Sequence, residues 1–378
     1  MSESNESAER PTARDLARVF TVTDVETDGE TLLYVGHPTV DIQTLEREVW
    51  PLFRERGYEI SLQRGYDQQV PPGRLVLVAE PRTTADGIPW RNVVLFVLTV
   101  FSTLFAGAFY WYRLPVFSDP LSALEAWPFS VALMGVLGVH EMGHYVMSRY
   151  HDVDASWPYF IPLPLFVGSM GAVIKMRERM PDRKALFDIG AAGPLAGLVA
   201  TVVVTLVGLQ LEPLAVQEAA ANSGSEGARV VFHNPPLLWL LAELSGTAGK
   251  LDAGLVHPVV FAGWVGMLVT VLNLLPVGQL DGGHIVRAIA GHRQETLAAA
   301  VPGALFALAG YLYFVRGGFD SVGIWAMWGI FTAGLAYAGP ATPVVDDTLD
   351  RRRIALGVLT LVLGALCFTP IPVEVVPA

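Results

Sequence analysis

Residues 128–150 read PFSVALMGVLGVHEMGHYVMSRY. As a helix rising about 1.5 Å per residue, this run is long enough to cross a hydrocarbon layer of about 30 Å. Inside it lie His140, Glu141 and His144, an H-E-x-x-H pattern. Residues four apart share a helix face, so the two imidazoles point the same way, as two nitrogen ligands of one metal ion must. Glu141 projects beside them, placed to take a proton from a water held there. The plain alternative is a helix with two satisfied histidines. Three ionisable groups in a membrane-length apolar segment are costly, however, and by default mark a functional site.

Composition agrees with a membrane setting. The chain has 378 residues, 52% hydrophobic and only 16% charged, with a mean hydropathy of +0.44. Such a chain reads as a multispanning membrane protein rather than a soluble enzyme. The single cysteine, Cys367, excludes an intrachain disulfide and a cysteine zinc site. Net charge is −11, and no basic stripe is present, which excludes nucleic acid as a partner. The first fifteen residues show neither an apolar signal core nor an Arg-rich amphipathic pattern.

Working outward toward the N-terminus, residues 1–15 are polar, charged and expected to be disordered. Residues 16–82 then read as a small soluble α+β domain. Strands are expected around Val19–Thr23, Thr31–Val35, Tyr58–Gln63 and Leu75–Ala79. Asp41 caps a helix whose Ile42, Leu45, Val49, Leu52 and Phe53 share one face, with Pro51 expected to kink or end it. Nothing in this domain resembles a catalytic constellation. Residues 83–90 read as a linker, and a first span runs from Asn92 to Tyr112, bracketed by interfacial aromatics such as Trp90 and Trp111.

Toward the C-terminus, residues 151–185 are apolar yet too rich in proline for a helix. Pro158, Pro162 and Pro164 are followed by Gly168-Ser169-Met170-Gly171-Ala172-Val173-Ile174-Lys175-Met176, which reads as extended. Non-helical backbone of this kind fits a re-entrant β-like hairpin shielded by protein, and an ordinary apolar surface loop is the alternative. Further spans are expected over 186–211, 257–275, 297–315, 322–337 and 354–368, which makes seven, with a short apolar helix over 236–244. Gly190, Gly193 and Gly197 give the third span a close-packing face. Clusters of Arg and Lys at 177–184, 287–293 and 351–353 all fall on one side of this arrangement. The positive-inside rule makes that side cytoplasmic, together with the N-terminal domain and the ends of the spans carrying His144 and Asp281. The expected location is a prokaryotic cell membrane.

A metal held by two histidines needs a third ligand. Asp281 follows an apolar span and precedes Gly282-Gly283, which permit close backbone approach, and His284 is a rival by residue type. Pro276 breaks the helix and leaves Asn273 where its amide could bond substrate.

His140-Glu141-x-x-His144 in a membrane span, followed by Asn273-x-x-Pro276-x-x-x-x-Asp281-Gly282, resembles the site-2 proteases, a family of intramembrane zinc metalloproteases. Gly168-Ser169-Met170-Gly171-Ala172, Pro181-Asp182-Arg183 and Gly193-Pro194-x-Ala196-Gly197 are similar to its chloroplast and cyanobacterial branch, which also carries a soluble N-terminal region. The resemblance implies a protease core over 91–290, with additional transmembrane helices over 291–378. It implies one Zn²⁺ per chain on His140, His144 and Asp281, Glu141 as catalytic base and Asn273 as a group polarising the scissile carbonyl; His284 is not a ligand in that pattern. The substrate it implies is a transmembrane protein within the lipid bilayer. Because a helical substrate must be unwound before attack, Val173 and Ile174, offering a strand edge, are expected substrate-binding residues, with Gly171 just before them and Pro276 at the helix break after Asn273. A membrane metal transporter and a proteolytically silent scaffold are the competing readings. Transport needs no general base, and a silent scaffold needs no intact ligand set.

Overall fold

The structure, a computed structural model, describes residues 10–64, 75–82, 87–214, 228–317 and 321–377. Most of the stretch expected to be disordered, residues 1–9, lies outside these, as do parts of the 83–90 linker and of the polar loop after the third span. The chain divides into two units: residues to Gly87 with Val344–Asp346, and Ile88–Pro343 with Asp347 onward.

Among the described residues, the first unit is a four-stranded antiparallel sheet with a helix packed on one face and a short helical turn before it. Strands β1 (Phe20–Asp28), β2 (Thr31–Pro38), β3 (Tyr58–Arg64) and β4 (Leu75–Pro81) take the order β1-β2-β4-β3. Alternation puts Phe20, Leu32, Tyr34, Ile60, Leu77 and Ala79 on one face. There they meet Leu45, Val49, Trp50 and Phe53 of the helix Ile42–Arg54. A helical turn, α1 (Ala13–Leu16), precedes the sheet with Leu16 buried, and the Tyr34 hydroxyl donates to the Pro11 carbonyl at 2.5 Å. The longer helix, α2 (Ile42–Arg54), runs three residues past Pro51 instead of stopping there. Pro51 falls in its last turn, where burial of Val49 and Phe53 outweighs one lost backbone bond.

The second unit is mostly helical. Among the described residues, four helices, counted with the turns that extend them, are long and apolar enough to cross a membrane: Trp90–Trp111, Pro120–Tyr150, Arg183–Gln210 and Arg293–Phe314. Their regular α-helical parts are α3 (Trp90–Ala106), α4 (Trp127–Tyr150), α5 (Arg183–Gln210) and α9 below. Two short helices, α6 (Pro236–Leu244) and α7 (Ala248–Asp252), lead into α8 (Pro258–Asn273). The helix carrying Asp281, Asp281–Ala290, is here called αD, and α9 (Arg293–Phe314), α10 (Val322–Ala338) and α11 (Arg351–Ala365) follow it. Seven spans were expected. The helices α8, α10 and α11, at 16, 17 and 15 residues, fall short of the length of the other four.

Close packing within this unit is set by small residues. On α8, a Cβ at Gly263 or Gly266 would lie 2.1 and 2.5 Å from the hydroxyl oxygens of Thr205 and Thr201 on α5. On α4, a Cβ at Gly143 would lie 2.6 Å from the Ala192 carbonyl oxygen. α4 therefore meets α5 backbone to backbone at Gly143, and α8 seats threonine side chains of α5 directly on its backbone, as small interface residues allow.

The proline-rich segment forms an antiparallel hairpin, β5 (Tyr159–Leu163) with β6 (Gly168–Val173). It lies along α3 and is tied at both ends. Asn92 Nδ2 donates to the carbonyls of Trp157 (2.6 Å) and Pro158 (3.0 Å), and Trp111 Nε1 donates to that of Phe166 (2.8 Å). Gly168, at φ +85°, sits so close that a Cβ there would lie 2.5 Å from Thr103 Cα. The free edge of this two-stranded sheet belongs to β6 on one side and β5 on the other. A second pairing, β7 (Ala228–Phe232) with β8 (Val373–Pro377), joins two segments not expected to be strands.

Candidate metal centre

Three helices deliver the site. His140 and His144 come from one face of α4, two turns before its end. Asp281 is the first residue of αD, after a tight turn that opens at the end of α8. That turn depends on glycine. A Cβ at Gly282 would lie 2.0 Å from the Leu274 carbonyl oxygen, and one at Gly283 2.5 Å from that of Gly278. The third helix, α5, supplies absence of bulk. A Cβ at Gly193 would lie 2.0 Å from His144 Nε2, and one at Gly197 2.8 Å from His140 Nδ1. The glycine face expected on the third span is thus the wall against which both imidazoles rest.

The donor atoms converge. His140 Nε2 and His144 Nε2 are 3.2 Å apart, and the Asp281 carboxylate lies 3.2 Å from the first and 3.1 Å from the second. A tetrahedral ion with ligand bonds of about 2.0–2.1 Å separates its ligand atoms by about 3.3 Å. His144 Nδ1 is 2.7 Å from the Ile189 carbonyl. A carbonyl only accepts, so Nδ1 carries the hydrogen, and in the neutral ring Nε2 presents its lone pair. That lone pair would face a carboxylate and a second ring nitrogen, a repulsion that a shared proton or a bound metal cation relieves. The donor set of two imidazoles and one carboxylate, with His140, His144 and Asp281 4, 5 and 9% exposed, therefore fits a metal such as zinc.

Around this cluster is a cavity of about 650 Å³. Glu141 and Asn273 line it, with Val173, Ile174 and Lys175 at the end of the β6 segment. Asn273 Nδ2 lies 3.3 Å from His140 Nε2. The backbone of Ile174 lies beside the Glu141 carboxylate. The structure thus brings His140, Glu141, His144, Asn273, Asp281, Val173 and Ile174 to one cavity. Gly171 and Pro276 are not on its wall. Gly171 lies within β6 at φ +108°, and the Pro276 carbonyl accepts from Gln294 Nε2 at 3.2 Å. His284, the rival ligand, lines the cavity but stays outside the donor cluster, its Nδ1 buried without a partner. Asp188, one residue before the carbonyl that holds His144, turns away to Arg353 and His151. The role of Ile189 was invisible in the sequence, because a backbone carbonyl leaves no residue-type signal.

Comparison with known proteins gives the same region. The family described as "Peptidase family M50" matches residues 128–314. The Arabidopsis thaliana protein described as "Probable zinc metalloprotease EGY1, chloroplastic" is 32% identical over 323 residues, covering 78% of this chain and 55% of the relative. A second from that plant, "Probable zinc metalloprotease EGY2, chloroplastic", is 31% identical over 311 residues, covering 78% and 51%. "Probable zinc metallopeptidase EGY3, chloroplastic" is 26% identical over 382 residues, covering 92% and 62%. The chain spans about half the length of the first two and somewhat more of the third. No solved structure matches.

Proposed function

Because residues 128–314 belong to peptidase family M50, we propose that the chain is a zinc-dependent endopeptidase that cuts a membrane-anchored protein within or near a transmembrane helix. The observation that carries this reading is the convergence of His140, His144 and Asp281 in an apolar bundle, with a carboxylate, Glu141, beside them and an extended strand alongside. In this reading His140, His144 and Asp281 hold one zinc ion per chain. When bound, zinc would supply Lewis acidity, activating a water and polarising the scissile carbonyl.

The chain's own residues do the rest. Glu141 accepts the proton of the attacking water and passes it to the leaving nitrogen. Asn273 Nδ2, at the mouth of the His140 ring, donates to the carbonyl oxygen as charge develops on it. The Ile189 carbonyl holds His144 in the Nδ1–H tautomer, so its Nε2 stays free to ligate. The segment Val173–Ile174 pairs with the substrate backbone and keeps it extended, since a helical substrate hides its carbonyls in its own ladder. Gly171 and Pro276 serve this indirectly, by shaping β6 and the turn after Asn273.

The bilayer is the working medium. We take α8, α10 and α11 as additional crossings, making seven, with shorter spans accommodated by local thinning of the bilayer. The side rich in Arg and Lys is then the inner face. The relatives carry a chloroplast label, which does not support the expected prokaryotic cell membrane.

The deciding experiment compares purified wild type with Glu141→Gln on a transmembrane reporter, counting zinc in both. Cleavage by wild type alone, with one zinc in each protein, supports the reading. Equal cleavage by both removes Glu141 as the base.

A further inference from the structure

The last helix, α11 (Arg351–Ala365), lies beyond the segment matched by the family, yet it reaches toward the metal centre. Its cap, Asp350, accepts from the amides of Arg352 and Arg353 at 3.1 Å. The Arg353 guanidinium then grips Asp188 of α5 with two parallel bonds, Nε to Oδ1 and Nη2 to Oδ2, both 2.7 Å. His151, just past the end of α4, lies 2.9 Å from the same carboxylate. Asp188 is thereby held from two sides, and its side chain is only 14% exposed.

The residue after Asp188 is Ile189, whose carbonyl takes the Nδ1 hydrogen of His144 at 2.7 Å. In the backbone that follows, one bond of the helical ladder is missing: Pro194 lacks the N–H that would bond the Gly190 carbonyl. The clamp at Asp188 lies within a turn of that gap. The same carboxylate also holds His151, so both partners of the His144–Ile189 bond, one on α4 and one on α5, are referred to a single anchor.

The remainder of α11 reinforces this. A Cβ at Gly357 would lie 2.7 Å from Ile289 Cδ1 and 2.8 Å from Phe187 Cε2, and one at Gly364 would lie 2.2 Å from Leu274 Cδ1. The helix therefore abuts the residue before Asp188, the helix that begins at Asp281, and the residue after Asn273.

We propose that Arg353 is a positioning residue for the metal centre: through Asp188 it sets the Ile189 carbonyl, and through that the ring of His144. This rests on the reading that His144 is a zinc ligand, and it makes the final helix a part of the site. Arg is the fitting residue, because only a planar guanidinium makes two parallel bonds to one carboxylate.

The test uses the full chain in detergent. Zinc affinity is measured against a competing chelator, and the absorption spectrum of the cobalt-substituted protein reports ligand geometry. Partners that orient a ligating histidine alter metal affinity by about 10–100-fold; one step further out, Arg353→Leu should weaken zinc by about threefold to tenfold and shift the cobalt spectrum. Arg353→Lys should recover only part of this. On a reporter, kcat should fall with KM unchanged. Val358→Ala, on the exposed side of the same helix, should alter nothing. If Arg353→Leu fails to fold, Asp188→Asn, which keeps the shape and loses the charge, carries the decision. Wild-type affinity and spectrum in the folded variants would overturn the proposal and leave the pair as a structural staple. Failure of wild type itself to bind zinc would instead overturn the metal-site reading beneath it.

Discussion

Gly193→Ala isolates what α5 contributes to the metal centre. By helix propensity the change should help, because alanine is favoured over glycine by about 1 kcal/mol in a helix interior. By geometry it should destroy the site. The new methyl carbon would lie 2.0 Å from His144 Nε2 and 2.4 Å from both neighbouring ring carbons. Ordinary contact needs about 3.5 Å, so the ring must retreat by more than about 1 Å. It cannot do so freely, because the Ile189 carbonyl holds its other nitrogen at 2.7 Å. Zinc–nitrogen bonds tolerate about 0.2 Å, so a shift of that size removes the ligand. Loss of a ligand should cost more than the 10–100-fold typical of an outer partner, hence at least about 100-fold in zinc affinity, or about 2.8 kcal/mol. Competition titration of zinc against a chelator, together with the thermal midpoint of the metal-free protein, measures both sides. The expected result is a folded protein that has lost zinc and is, without metal, modestly less stable than wild type, the overpacking cost of about 1–3 kcal/mol offsetting the propensity gain. A folded Gly193→Ala protein binding zinc within about threefold of wild type would refute the reasoning.

Two further predictions follow from other parts of the molecule. Replacing Ile174 with proline removes a donor from the strand segment beside Glu141 without touching a metal ligand; cleavage of a transmembrane reporter should be abolished while zinc content stays at one, and full activity would remove the strand-pairing step. In the first unit, side-chain and backbone hydrogen bonds from Thr44 hold the Asp41 carboxyl below its ordinary value of 3.8. A depressed folded value means that the cap's contribution is fully present above pH 3.8 and is lost as pH falls through the lower folded value. Protection of the Ile42–Arg54 amides against hydrogen exchange, relative to their intrinsic rates at each pH, should therefore fall on acidification below about pH 4, and Asp41→Asn should remove that dependence; an unchanged profile in the variant would show that Asp41 is not its source.

The parts of this molecule legible in the sequence were those with a local signature. An apolar run of membrane length, two histidines one turn apart and a glycine pair after Asp281 each announce a geometry within a few residues. The sheet of the first unit was readable for the same reason, since Thr31–Val35 and Leu75–Ala79 are short β-branched and apolar runs that announce strands locally. What stayed hidden depends on distant segments. The β7–β8 pairing joins residues more than 140 positions apart, and Arg353 finds Asp188 across 165. Pro51 suggested an early stop to α2, but the preference of a single residue lost to the buried face it sits on. Hydropathy does not see where a helix ends: α8 stops at Asn273, and seven residues of turn separate it from Asp281, so that the chain doubles back to the metal centre.

The ties between α3 and the hairpin have a mechanical consequence. Asn92 and Trp111, near opposite ends of that helix, each grip a carbonyl of the hairpin segment, and Gly168 is seated against the helix backbone between them. Breaking either grip leaves a donor and a carbonyl without their partners. Helix and hairpin must therefore travel together, like a door hung with its own frame. Any displacement of α3 would carry the β6 edge with it, so movement of the helix and movement of the strand beside the cavity are one motion.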